Sequence, residues 1–98
     1  MFWYKLYNAR YDIVLAACDK ELLGKTLKEG KIKIIVNENF YKGDLIDEIG
    51  IKKLLNLSTI GNLIGENIIT IAEKEGFISR ENVLIIDGVP HAQFVKIQ

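Results

Sequence analysis

The sequence predicts an α+β domain, a mostly antiparallel sheet of about five strands with one long helix and short helices packed on it. Three observations carry this. FWYKLY and DIVLAAC are runs of aromatic, β-branched and small residues separated by the turn-prone Asn8-Ala9-Arg10, the pattern of a hairpin. KIKIIV alternates at Ile32, Ile34 and Val36, the period of a half-buried strand. In STIGNLIGENIITIAEKEG, residues Ile60, Ile64, Ile68 and Ile71 recur at helical spacing, between Ser58 as a cap and Gly76 as a terminator.

The elements follow in order. On the first strand Phe2, Tyr4 and Leu6 share one face and Trp3, Lys5 and Tyr7 the other, so both faces carry aromatics and both are expected to be covered. The second strand ends in Ala16, Ala17 and Cys18. Asp19 then stands as N-cap of a short helix from Glu21 to about Lys28, weakened by Gly24 and stopped by Gly30. After the strand at Ile32 to Val36, the chain turns at Gly43 into another short helix, capped by Asp44 and ended by Gly50. In the long helix over residues 58–76, Gly61 and Gly65 lie one turn apart and leave a strip open to close approach. The tail is a strand from Val83 to Ile86, the turn signal Asp87-Gly88, and a last strand from Ala92 to Ile97, with Val89 to His91 loosening the connection. At 98 residues the chain can build one core and not two, so residues 1–98 are read as a single domain.

Composition narrows the function. Hydrophobic residues make up 49% and charged residues 27%, which excludes the disordered and disulfide-rich classes. Thirteen basic residues balance thirteen acidic ones, so no long-range positive field draws nucleic acid and any RNA contact must be local. One cysteine allows no internal disulfide, there is no signal-peptide layout, and no apolar run approaches the roughly 20 residues needed to span a bilayer. A cytoplasmic protein without membrane contact is expected. The Lys, Glu and Ile bias is that of hot-living organisms, and an AT-rich genome produces the same bias.

The segments LAACDKELLGK after the first hairpin, FYKGD after the third strand, GNLIGE in the long helix and GVPHAQ before the last strand occur in a characteristic order. Together they resemble the archaeal family of unknown function numbered 424, over nearly the whole chain. The resemblance implies a small cytoplasmic archaeal protein associated with translation and RNA metabolism. It carries no catalytic residue over.

Candidate site residues fall in two groups. DGVPHAQFV holds the only proline and the only histidine, and Pro90 stiffens the entry that presents His91. Asn62 and Glu66 each adjoin a glycine of the close-approach strip, so a polar cluster of His91, Gln93, Asn62 and Glu66, with Asp19, is expected at the sheet's end. Glu73 on the same helix reads as solvated. Lys25, Lys28, Lys31 and Lys33 form a basic run that either is a solvated surface or, beside Trp3, Tyr7 or Tyr41, neutralises phosphates while bases stack. Cys18 beside His91 would be an activated nucleophile, although a cysteine after two alanines in an apolar strand more often packs as a small hydrophobe. A metal would need Cys18, His91 and one or two of Asp19, Glu66 and Asp87 to meet by tertiary coincidence, so no metal and no cofactor are expected. GNLIGE lacks the lysine of a phosphate loop. These readings favour a non-enzymatic binding module that contacts RNA or a translation-related protein through the GVPHAQ surface. A small hydrolase or transferase using Cys18 or His91 is the alternative.

Overall fold

In the computed structural model, which describes residues 1–97, the chain opens with the expected hairpin, β1 (Phe2–Asn8) and β2 (Ile13–Asp19). A 3-10 turn at Lys20–Leu22 leads to a second hairpin, β3 (Thr26–Glu29) and β4 (Ile32–Ile35). Then come the single-turn helix α1 (Glu38–Tyr41), the short strand β5 (Asp44–Ile46) and helix α2 (Glu48–Leu57). Strand β6 (Ile60–Ile64) and helix α3 (Glu66–Lys74) follow, and the chain closes with β7 (Leu84–Ile86) and β8 (Val89–Val95). Six strands form one mixed sheet in the order β5-β1-β2-β6-β8-β7, in which β2 and β6 run parallel and the other pairs antiparallel.

Side-chain alternation divides the core in two. On one face Phe2, Leu15, Ala17, Leu63, Ala92 and Phe94 pack against Ile51 and Leu55 of α2 and Ile68, Ile69 and Ala72 of α3. On the other, Ala16, Cys18, Ile64 and Ile86 pack under Tyr41 of α1 and Leu27 and Val36 of the β3–β4 hairpin. Gly61 belongs to the first face. The Phe94 ring lies directly over it, and any Cβ there would collide with the ring.

Four expectations are corrected. The helix expected from Glu21 to Lys28 is a 3-10 turn and strand β3, because Gly24 takes a positive φ of 84° and Leu27 turns inward to the core. The helix expected between Asp44 and Gly50 starts three residues later: Asp47 accepts from the Gly50 N–H at 2.8 Å, so Gly50 sits inside α2 and Asp44 begins β5. The long helix over residues 58–76 is absent. Ser58 ends α2, residues 60–64 are a strand, and only residues 66–74 are helical. Isoleucines four apart satisfy both periods, and a central strand buried on both faces shows no alternation to betray itself. Lastly, Asp87 and Gly88, at φ 54° and 76°, make a two-residue turn, so Val89, Pro90 and His91 lie inside β8, and the sheet has six strands and is mixed because β2 pairs with β6 in parallel.

Proline is tolerated inside β8 because of where its nitrogen points. Gly65 donates to the Pro90 carbonyl at 2.9 Å, and the Gly65 carbonyl, which would have accepted a return bond, instead accepts from Ile69 as the first bond of α3. The Asp19 carboxylate, at the end of β2, accepts from the N–H groups of Asn67 and Ile68, both at 2.9 Å, and so caps α3 from a distance of nearly fifty residues. Gly65 sits between at φ 125°, where a side chain would strike that carboxylate. Asp19→Ala, by freeing two N–H groups, should lower stability by about 1–3 kcal/mol. Gly65→Ala should cost about the same through backbone strain and the clash. Urea unfolding of both variants checks this, and a loss confined to Gly65→Ala would show that the carboxylate caps nothing.

Candidate functional site

The register of the sheet brings Asn62 opposite Gln93 and beside the row that carries His91, with all three on the face covered by α1. Asn62 Oδ1 accepts from the Tyr41 hydroxyl at 2.9 Å and lies 3.1 Å from His91 Nε2. A carbonyl oxygen only accepts, so the imidazole carries its proton on Nε2, and Tyr41 and His91 both donate to Asn62 Oδ1, which joins the three side chains in one hydrogen-bonded trio. Tyr41 is held by an edge contact with Phe40, whose ring stacks on Tyr7. The Tyr7 hydroxyl donates to the Phe40 carbonyl at 2.7 Å, tying α1 to β1. Burial raises the Tyr41 phenol well above its usual range and lowers the His91 imidazole, so at neutral pH both are uncharged.

Past this trio the covering layer stops. Gln93, Val95 and Leu84 of the same face are exposed, and a shallow groove of about 390 Å³ runs between Asn82, Leu84, His91 and Gln93. The arrangement can present a neutral imidazole and an amide amid apolar contacts. Among the described residues that line the groove there is no hydroxyl or thiol.

Cys18 and His91 do share one cross-sheet row, through Ile64, which pairs with both. Two strand spacings, roughly 10 Å, separate them, with the Ile64 side chain between. Cys18 is fully buried, and burial, reinforced by the charges of Asp19 and Glu21, pushes its thiol up to about 12.

The predicted cluster is thus half assembled. Asn62 bonds His91, and Gln93 lies opposite Asn62 in the sheet. Glu66 turns away: with Glu73 it holds Arg80, each at 3.3 Å, and Thr70 accepts from the same guanidinium at 3.1 Å. Asp19 is engaged beneath α3 as a cap. Of the basic run, only Lys28 and Lys33 meet, directly opposed across β3 and β4. Lys25 precedes β3 and Lys31 sits in the turn at the other end. Tyr41 and Arg80 were not singled out as partners by the sequence, because nothing local marks a tyrosine or an arginine whose partner lies 21 or 14 residues away.

The fold and site together define a small α+β domain with a doubly covered mixed sheet and an open end around a neutral, hydrogen-bonded trio. Residues 7–97 match the family described as Protein of unknown function (DUF424), and the chain belongs to that family. The fold is similar to that in the crystal structure of an uncharacterized conserved protein from Methanopyrus kandleri, at 22% identity and a TM-score of 0.78, covering 99% of this chain and 94% of that one. No curated protein matches the chain.

His91 binds its proton more weakly in the folded protein than in the unfolded chain, whose pKa is about 6.5. Its contribution to stability is therefore complete above about pH 6.5 and declines as pH falls through the folded value. NMR titration of the single histidine should give a value below 6.5, and Asn62→Asp, which sets a carboxylate beside the ring, should raise it. An unshifted value in the native protein would mean that the ring is solvated.

Proposed function

We propose that the protein is a non-enzymatic binding module of the cytoplasm that takes a protein partner, of the kind associated with translation, on the open end of the sheet around His91 and Gln93. One observation carries this reading: the layer of α1 and the β3–β4 hairpin stops at Tyr41, and leaves Leu84, Gln93 and Val95 exposed beside a rigid, hydrogen-bonded floor. A surface braced from beneath loses little entropy when a partner settles on it. The hydrolase or transferase alternative has weaker support, since the one thiol is buried and protonated and the His91 Nε2 is engaged by Asn62.

RNA is a second reading, favoured by the Lys28–Lys33 pair. Like charges directly opposed across a hairpin repel, and a phosphate between them would relieve that. No exposed aromatic platform of the kind single-strand binders use adjoins the open sheet end, where the exposed residues are aliphatic or amide.

Affinity purification from native cytoplasm, with bound protein and RNA both identified, tests the reading. Leu84→Glu and Gln93→Lys should each abolish recovery of the bound protein while changing stability by less than about 0.5 kcal/mol, as exposed substitutions do. Lys28→Gln with Lys33→Gln should leave recovery unchanged. If instead RNA is recovered and the lysine variant flattens its salt dependence, the second reading replaces the first.

A further inference from the structure

A strand inside a sheet alternates its backbone groups between two neighbours. In β8 the Pro90 carbonyl accepts from Gly65 and the Lys96 N–H donates to Thr59, so the groups of Pro90, Ala92, Phe94 and Lys96 face β6. Those of Val89, His91, Gln93 and Val95 face the other way. Strand β7 reaches only Val89 to His91, because the chain before Leu84 leaves the sheet in a 3-10 turn at Arg80–Asn82. Among the described residues, the N–H and C=O groups of Gln93 and Val95 therefore have no backbone partner.

Two grooves flank this unpaired edge. One, of about 350 Å³, runs between Phe77, Ile78 and Phe94 on the helical side of the sheet. The other is the groove of about 390 Å³ at Leu84 and His91. Asn82, Ala92 and Gln93 line both. The residues between which the grooves run are uncharged, His91 being neutral, and the Lys96 ammonium over the Phe77 and Phe94 rings is held by the Leu55 and Asn56 carbonyls.

We propose that the β8 edge at Gln93 and Val95 takes an extended, uncharged peptide segment of a partner protein as an added strand, in line with β7. This rests on the protein-partner reading and names how the partner is held. Alternating donors and acceptors at strand spacing are complementary to a peptide backbone, and the uncharged grooves match uncharged side chains. Successive side chains of the guest drop to opposite faces, one toward Phe77 and Phe94 and the next toward Leu84 and His91. A nucleic acid would meet only the Lys96 ammonium here, and that is already engaged by the Leu55 and Asn56 carbonyls. A second copy of this chain would pair over only about three residues of edge, far short of the roughly 800 Å² per partner of a stable interface.

The probe is a phage-displayed library of random twelve-residue peptides selected on the whole protein. Enriched peptides should be uncharged at their centre with apolar residues at alternate positions. Binding should slow amide hydrogen exchange at Gln93 and Val95 at least about tenfold. Val95→Pro removes an outward N–H without touching the ladder to β6, and should weaken binding about tenfold. The exchange measurement on the unaltered protein stands even if that variant fails to fold. The proposal is overturned if no peptide is enriched, if protection appears at other amides, or if folded Val95→Pro binds like the parent. It is overturned too if the edge proves to be covered by a second copy. A native partner lost in Leu84→Glu and Gln93→Lys, yet leaving both amides unprotected, would keep the binding surface and end strand addition.

Discussion

One carboxylate joins three segments of this chain that are remote in sequence. Asp19 ends β2, its oxygens receive the first free N–H groups of α3, and Gly65, which ends β6, passes over it without a side chain. The parallel pairing of β2 with β6 brings Cys18 level with Ile64, and the residue after each then makes the cap. Shift that register by one residue and the carboxylate no longer meets the helix. The charge is held at a cost: burial raises the Asp19 pKa, and the two N–H bonds only partly oppose it. A carboxyl whose folded value lies above its unfolded value of about 3.9 contributes most at low pH, and that contribution is lost as pH rises through the folded value. At neutral pH the carboxylate still accepts both N–H bonds and so fixes α3 in place, and α3 in turn covers Leu63, Ala92 and Phe94.

The same geometry explains what could be read from the sequence. The first hairpin was legible because its two strands are adjacent in the chain and differ from their turn in composition. Asp19 was legible as a cap, since a carboxylate after an apolar strand is a cap signal, but the helix it caps begins 47 residues on and no local pattern reports that. The segment at residues 58–76 misled for a physical reason. A central strand running into a helix through a glycine keeps isoleucines at 60, 64, 68 and 71, and that spacing is the same whether the first half is coiled or extended. Asn62 and His91 do meet, but through the pairing of β6 with β8 and not through the glycine strip of a long helix, which was the ground for expecting them together. Glu66 does not join them, since its direction is set by Arg80 from the next loop.

Why the sheet is covered on one half and open on the other follows from where the second layer is anchored. Strand β1 carries Trp3, Lys5 and Tyr7 on that face, and the Tyr7 hydroxyl and the Lys5 ammonium both reach carbonyls of α1. The β3–β4 hairpin is tied at the far corner by paired contacts of Asp87 with Lys28 and Glu29. Between these anchors lie Ala16, Cys18, Ile64 and Ile86, all buried, and beyond them the trio of Tyr41, Asn62 and His91 marks the border. A border made of apolar residues alone would expose them to water or recruit further chain to cover them. A border of hydrogen-bonded side chains can stand at the solvent, with every buried polar side-chain atom among the described residues satisfied. The trio is therefore both the edge of the core and the floor of the open sheet end. His91 holds the outermost place in it, where the core's last polar bond and the first contact available to a partner belong to the same ring.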